Sequence, residues 1–195
     1  MQTIRFVGLD LHAETVAVAV PESGEVRSLG PDQDGPARSV PKLPHQLRGV
    51  PRISAATIVA EVGMLSRFRR PKQLMGYTGA VSREHASRER IRRGAIAKTG
   101  NSHLRRILVE AAWAYRHRPN VGAELRRRQA NASDEVKEIA WKAQHRLHYR
   151  YARLVGRGKL KQQVVTGVAR ELAGFVWAIG VEVEKQLASH PAHSA

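Results

Sequence analysis

The most distinctive group of reactive or binding side chains in this sequence is a dense cluster of positive charges. Residues 67–106 carry 12 basic and 2 acidic side chains, a net charge of +10, whereas residues 1–66 carry a net charge of −1 and residues 107–195 a net charge of +7. Charges packed this densely repel one another unless an anion lies close by, so the pattern favours a polyanionic partner over a merely solvated surface. The candidate nucleic-acid ligands in this stretch are Arg67, Arg69, Arg70, Lys72, Arg88, Arg90, Arg92, Arg93, Lys98, Asn101, Ser102, Arg105 and Arg106.

A glycine-flanked loop within this stretch, residues 94–106, has the residue types of a phosphate site. Gly100 allows a close approach of the backbone. Asn101 and Ser102 stand at the start of a predicted helix, whose free N–H groups attract anions. A plain helix N-cap is the alternative interpretation, and it explains the Asn-Ser pair but not the cations beside it.

Residues 50–63 have the form of a helix–hairpin–helix element. Its short turn and the helix start that follows would present backbone N–H groups to a phosphate. Such elements usually carry Gly-x-Gly in the turn, where this sequence has Pro51-Arg52-Ile53. An ordinary helix over residues 55–62, capped by Ser54, is the alternative interpretation.

Asp10 is the candidate metal ligand. It lies at the end of a first predicted strand, residues 4–9, and a second predicted strand follows at residues 15–20. Nuclease-like folds hold a Mg²⁺-binding carboxylate at this position. One carboxylate does not define a two-metal site, so the residues alone predict a hairpin with a single potential ligand.

The elements that must position these residues are mainly helical. Six prolines punctuate residues 21–51 and predict a linker or loop. From residue 52 onward the apolar spacing predicts helices over residues 55–62, 72–77, 102–118, 134–154 and 160–187. The clearest is the third, with Asn101 or Ser102 as its cap and a single apolar stripe formed by Leu104, Ile107, Leu108, Ala111, Ala112 and Tyr115.

The composition excludes several classes of protein. The chain has 33 Lys+Arg against 17 Asp+Glu and no cysteine, which excludes a disulfide scaffold, a thiol nucleophile and cysteine-based zinc sites. The nine histidines show no metal-binding spacing. The longest uncharged apolar run, residues 172–181, is too short to span a bilayer, and the N-terminus does not have the pattern of a signal peptide. We therefore expect a cytoplasmic, nucleoid-associated protein.

Several motifs, taken in chain order, resemble one family. Residues 6–18 resemble the first two strands of the RuvC-like DEDD domain of the IS-one-ten family (IS116/IS902-like) of insertion-sequence transposases. Residues 43–179 resemble the C-terminal transposase domain of that family. The motifs that carry this resemblance include Ile53-Ser-Ala-Ala-Thr-Ile-Val-Ala-Glu-Val-Gly, Phe68-Arg-Arg-Pro-Lys-Gln-Leu-Met-Gly-Tyr-Thr-Gly, Lys98-Thr-Gly-Asn-Ser-His-Leu-Arg-Arg and Val109-Glu-Ala-Ala-Trp-Ala-Tyr-Arg-His.

The resemblance implies DNA strand cleavage and rejoining at a composite active site. In the family, four carboxylates of the DEDD domain bind Mg²⁺, and a serine of the transposase domain attacks the DNA backbone. Ser87 takes the place of that nucleophile, and Asp10 matches one of the four carboxylates as a metal ligand. The proline and glycine of the serine motif are Ser82 and Arg88 here, and the other three carboxylates have no counterpart.

The chain therefore resembles an internally deleted transposase. The implied domains are a truncated DEDD RuvC-like segment at residues 1–30, a linker at the deletion junction at residues 31–43, and the C-terminal transposase domain at residues 44–190. The expected fold is mainly α. An N-terminal β-hairpin remnant of an RNase H/RuvC-like domain precedes a helical transposase domain with the helix–hairpin–helix-like element.

We expect a DNA-binding protein of a bacterial insertion sequence that is catalytically defective on its own. One alternative is an active recombinase whose missing carboxylates come from a full-length subunit. Another is a generic basic RNA- or DNA-binding protein without a role in recombination. The partners implied by the resemblance are element-end and target DNA, an element-encoded guide RNA, and either further copies of this chain or a full-length transposase.

Overall fold

The chain divides into two compact units, Met1–Pro41 and Lys42–Ala195. The computed structural model describes the backbone of residues 8–12, 15–19, 28–29, 44–80, 82–87, 90–96 and 99–189, and the side chains of residues 44–80 and 99–189.

The first unit contains an antiparallel sheet of three strands. β1 (Gly8–His12) pairs with β2 (Thr15–Ala19), which in turn pairs with the two-residue β3 (Ser28–Leu29). Residues 4–7 of the predicted first strand lie outside the described residues. The assignment of this segment to an RNase H/RuvC-like domain stays a prediction, as do the domain boundaries drawn from the sequence.

The second unit is mainly helical, which confirms the predicted class. Its described helices and strands are α1 (Arg52–Val62), α2 (Pro71–Tyr77), β4 (Ser82–Ser87), β5 (Arg90–Ile96), α3 (Ser102–Ala112), α4 (Ala123–Gln129), α5 (Asp134–Gly156) and α6 (Lys161–Ser189). Short 3₁₀ turns lie at Pro44–Gln46, Leu65–Arg67 and Trp113–Arg116.

The longest helix, α6, forms the centre of the core. It packs against α5, α3 and α2, and its residues Val165, Leu172 and Ile179 are fully buried. By length and composition alone α6 could cross a membrane, and half of its most apolar window is buried inside the domain (50%). Its apolar character therefore has an explanation in the core, where its stripe packs against three other helices.

The third predicted helix is confirmed in its start and its buried stripe, but its end is different. Asn101 caps α3, since its Oδ1 accepts a hydrogen bond from the backbone N–H of Leu104 at 2.8 Å. The α-helix ends at Ala112, and the 3₁₀ turn at Trp113–Arg116 follows it. This tighter turn still buries Tyr115, which is 1% exposed, so the apolar stripe continues into the core beyond the α-helix.

The first predicted helix begins earlier than expected, and its predicted cap is wrong. Pro51 occupies the N-cap position of α1, and its carbonyl accepts a hydrogen bond from Ala55 N–H at 2.9 Å. Ser54 therefore lies within the first turn. Proline suits a helix start because its ring presets φ and it has no N–H to satisfy. A 3₁₀ turn, rather than an α-helix, precedes α1, so the helix–hairpin–helix-like element stays a prediction.

The hairpin of β4 and β5 was not predicted from the sequence. Residues 94–96, expected to be part of a basic loop, belong to β5, and the register between the strands shifts between Ser82 and Glu84. The strands escaped notice because their sequences are rich in charge and lack the alternation of apolar and polar residues that indicates a half-buried strand.

Candidate nucleic-acid interface

The first group of predicted binding residues lies around the start of α2. The guanidinium of Arg67 stacks over the rings of Phe68, at 4.7 Å, and Tyr77, at 5.1 Å from the ring centroid. Such cation–π contacts orient a guanidinium without neutralising its charge. The side chains of Arg69, Arg70 and Lys72 are exposed. This corner of the domain therefore presents four cations to solvent, one of them held in place by aromatic rings.

The loop that leads into α3 docks against the end of α2. The backbone N–H of Asn101 donates to the carbonyl of Tyr77 at 2.9 Å, and Arg105 Nη1 donates to the carbonyl of Thr78 at 2.9 Å. Gly100 has φ = +123°, and a Cβ atom there would lie 2.4 Å from the Tyr77 carbonyl oxygen. The glycine that the sequence suggested for close approach to a phosphate thus serves a close approach to the protein's own backbone.

Glu61, at the end of α1, contacts the start of α3. Its carboxylate accepts a hydrogen bond from Asn101 Nδ2 at 2.7 Å, and its other oxygen lies 2.8 Å from Nδ1 of His103. The hydrogen bond with His103, and then that with Asn101, hold the pKa of Glu61 below its ordinary value, against the opposing effect of burial. The carboxylate places a negative charge beside the positive end of the α3 dipole, where a phosphate was predicted.

These contacts engage some of the predicted binding residues of the loop and leave others exposed. Both polar atoms of the Asn101 side chain are engaged, one in the α3 cap and one with Glu61. Arg105 is partly buried against α2. Ser102 and Arg106 have exposed side chains, which are open to a ligand.

Sequence reasoning missed Glu61. It lies in the last turn of α1, where the helix dipole disfavours a carboxylate, and this position was the available signal that Glu61 has a partner elsewhere in the fold.

The remaining cationic residues belong to the hairpin of β4 and β5. Arg90, Arg92 and Arg93 are in β5, where they pair with Ser87, His85 and Glu84 of β4. Arg88 and Lys98 lie outside the described residues. The hairpin therefore carries three of the predicted cations next to the strand that ends at the predicted nucleophile.

The two predicted catalytic residues lie in different units. Ser87 is the last residue of β4, and Asp10 lies in β1, opposite Ala17. The side chains of both lie outside the described part of the structure. Among the residues that the structure describes, no group of three or more His, Asp or Glu side chains is placed to hold a metal ion. The composite active site and its Mg²⁺ therefore stay predictions.

Comparisons with known proteins relate this domain to transposases. Residues 43–127 match the sequence profile described as the transposase IS116/IS110/IS902 family. The putative transposase y4qE of Sinorhizobium fredii is 50% identical over 139 residues, which cover 71% of this chain and 36% of that protein. A probable family 20 transposase of Pseudomonas aeruginosa is 34% identical over 68 residues, 35% of this chain and 20% of that protein.

A third relative, the transposase for insertion sequence element IS1111A of Coxiella burnetii, is 37% identical over 66 residues, 34% of this chain and 18% of that protein. The chain thus spans at most about a third of the length of these curated relatives. No solved structure matches it. The profile match and the three relatives agree with the motifs in the sequence, and over residues 43–127 the chain matches the IS116/IS110/IS902 family of transposases.

Proposed function

We propose that the second unit is a nucleic-acid-binding domain of an insertion-sequence transposase and that it contacts the DNA backbone through exposed cations around α2 and the start of α3. The observation that carries this proposal is a set of five exposed basic side chains in the segment that matches the family profile. They are Arg67, Arg69, Arg70, Lys72 and Arg106, and we refer to them as the α2–α3 cations.

The α2–α3 cations are available to an external anion. Within the described part of the chain, none of the five forms an ion pair with a carboxylate. By contrast, Glu124 pairs with Arg128 and Glu138 pairs with Lys142 elsewhere in the domain. Such cations attract anions from solution. When they contact phosphates instead, the counterions that surround the nucleic acid are released, and this release drives binding at low salt.

We also propose that this chain does not cleave DNA on its own. A serine hydroxyl such as that of Ser87 is a weak nucleophile unless a base or a metal activates it. Phosphoryl transfer also requires charge to stabilise the attacking and leaving oxygens. Asp10 is the only residue that matches a carboxylate of the family's catalytic motifs. Working sites tolerate displacements of only about half an ångström, and a single carboxylate does not hold a metal ion that firmly.

The salt dependence of DNA binding tests the binding proposal. With a fluorescent duplex that carries the element end, anisotropy titrations should show the affinity falling by roughly 10³ to 10⁵ between 50 and 200 mM salt if six to ten phosphates are contacted. The double variant Arg69→Gln/Arg70→Gln should lower the slope of log K against log salt by about 0.9 for each phosphate that the variant no longer neutralises.

The matched control is Lys185→Gln, which removes one exposed cation near the C-terminal end of α6. We expect it to leave the slope unchanged. A flat salt titration of the unmodified chain would remove the electrostatic basis of the proposal. Equal affinity for element ends and for unrelated DNA of the same length would favour a generic nucleic-acid-binding protein without a role in recombination.

A further inference from the structure

The exposed face of α5 carries a row of aromatic side chains. Trp141, His145 and Tyr149 follow one another at intervals of four residues, so they lie on one side of the helix. Tyr149 is 66% exposed and Trp141 is 44% exposed. The rings of Trp141 and His145 meet edge to face, with 4.5 Å between their centroids.

These aromatic residues do not contribute to the core. The opposite side of α5 supplies the packing, through fully buried residues such as Ala143 and Leu147. The exposed part of these side chains contributes nothing to folding, because its apolar area is not removed from solvent. The row is therefore a surface feature and a candidate binding site.

A row of arginines runs beside the aromatic row. Arg146, Arg150, Arg153 and Arg157 recur at intervals of four, three and four residues, and at 3.6 residues per turn they lie about 40° to 100° further round the helix than Tyr149. Together with Tyr149 they line a cleft of about 240 Å³ between α5 and α6.

One carboxylate lies in this cleft, and it neutralises only part of the positive charge. Glu171 of α6 accepts a hydrogen bond from Arg146 Nε at 3.2 Å and forms an ion pair with Arg150, whose Nη1 lies 2.8 Å from the carboxylate. In the described part of the structure, Arg153 and Arg157 have no carboxylate partner. Four guanidinium groups against one carboxylate give the cleft a net charge of +3.

We propose that this face of α5, the α5 platform, binds an unpaired nucleic-acid strand. The arginine cleft takes backbone phosphates, and bases turned out from the strand stack on Tyr149 and Trp141. Proteins that bind single strands combine these two features, a cationic groove and aromatic side chains on which bases stack. Bases inside a duplex are already stacked on one another and cannot use such rings, so the platform discriminates in favour of unpaired strands.

This inference rests on the proposed nucleic-acid binding but concerns a different surface and a different form of the ligand. The aromatic rings beside the α2–α3 cations, those of Phe68 and Tyr77, are partly buried and lie under Arg67, so these cations suit the regular backbone of a duplex. The two surfaces can therefore be tested separately with variants of each.

The test uses the full chain and three fluorescent probes of one sequence: a 12-nucleotide RNA, the same DNA strand, and the DNA duplex. Tyr149→Ala and Trp141→Ala should each weaken binding of the single strands by roughly five-fold or more, since stacking of one base on an aromatic residue contributes at least that much. Tyr149→Phe keeps the ring and should bind as the unmodified chain does. Comparison of the RNA with the DNA strand shows which of the two the platform prefers.

The arginine cleft has its own prediction. The double variant Arg153→Gln/Arg157→Gln should lower the salt slope for single strands by about 1.4, at about 0.7 for each phosphate that is no longer neutralised. Lys185→Gln again serves as the control, since it lies about 21 Å further along α6 than Glu171, at 1.5 Å per residue. None of these side chains belongs to the core, so all variants should melt with the unmodified chain.

The outcomes separate this inference from the proposed function. Failure of the unmodified chain to bind any probe would overturn both. Normal binding of duplex and single strands by the Tyr149→Ala, Trp141→Ala and arginine variants would overturn the platform alone. An equal loss for duplex and single strands would also overturn it, as would a change of oligomeric state in Tyr149→Ala with unaltered binding, because the face would then join copies of this chain.

Discussion

The substitution Gly100→Ala tests how the start of α3 is held in place. Gly100 has φ = +123°, a backbone conformation that residues with a side chain rarely adopt. A Cβ atom at this position would lie 2.4 Å from Tyr77 O and 2.9 Å from Gly79 N. Both of these neighbours are backbone atoms of the end of α2, so neither can rotate away. The loop must move, and the hydrogen bond from Asn101 N–H to Tyr77 O must lengthen or break.

The expected loss follows from these two effects. A non-glycine residue held in such a backbone conformation costs about 1–3 kcal/mol. Breaking the hydrogen bond adds about 0.5–1.5 kcal/mol. We therefore expect the free energy of unfolding to fall by roughly 2–4 kcal/mol, which for a domain of this size lowers the melting temperature by roughly 4–16 °C.

Gly76→Ala provides a matched control from the same region. Gly76 lies inside α2, and a Cβ atom there would meet nothing within 4 Å. Alanine is the better residue in a helix interior by about 0.5–1 kcal/mol. The same chemical change should therefore stabilise the domain at one position and destabilise it at the other.

Thermal melting followed by circular dichroism, together with urea unfolding, measures both variants on one scale. A Gly100→Ala chain that melts with the unmodified protein, or above it as Gly76→Ala should, would refute the reasoning. It would mean that the loop does not dock on α2 in solution, and the placement of Asn101 and Arg105 against α2 would fall with it.

Three further outcomes are expected. Leu108→Ala should destabilise the second unit by about 2–5 kcal/mol in urea unfolding, because Leu108 is only 2% exposed and its loss leaves a cavity; an unchanged curve would show that the α3 stripe is not buried. Because its bond with His103 lowers the pKa of Glu61, this carboxylate should stabilise the fold at pH values above its ordinary pKa of 4.5 and lose that effect as the pH falls through the lowered pKa, so the difference in unfolding free energy between the unmodified chain and Glu61→Gln should vanish in acid. Incubation of the chain with Mg²⁺ and labelled element-end DNA should give no covalent product on a denaturing gel; a shifted band that requires Mg²⁺ and disappears in Ser87→Ala would restore the active-recombinase hypothesis.

Local patterns in the sequence were sufficient for the long helices. The stripe of α3 recurs with helical spacing, and Asn101 stands where a cap belongs, so the start and the buried face of this helix could be predicted without the fold. The same holds for the extent of α5 and α6, which lie within about two residues of the predicted ranges 134–154 and 160–187. The concentration of positive charge in residues 67–106 is likewise a property of composition, and it indicated a polyanion before any geometry was known.

The short elements could not be predicted in the same way. The strands β4 and β5 are stabilised by pairing with each other, and their charged sequences lack the apolar–polar period of two that indicates a strand. The start of α1 depended on Pro51, which was interpreted as part of a turn. In both cases the local signal was weaker than the contacts that decide the outcome.

Only the tertiary structure decided which of the predicted ligands are available. Glu61 and Asn101 are 40 residues apart, and nothing in their spacing indicates that one engages the other. Gly100 was suited by its type to approach a phosphate, but the fold uses it to approach the carbonyl of Tyr77. Which face of α5 is exposed depends on the packing of α6 against this helix, and the fold leaves the aromatic row on the exposed face. Sequence patterns report the local preferences of the backbone and of apolar side chains, whereas the pairing and exposure of polar groups depend on residues that the fold brings together from distant parts of the chain.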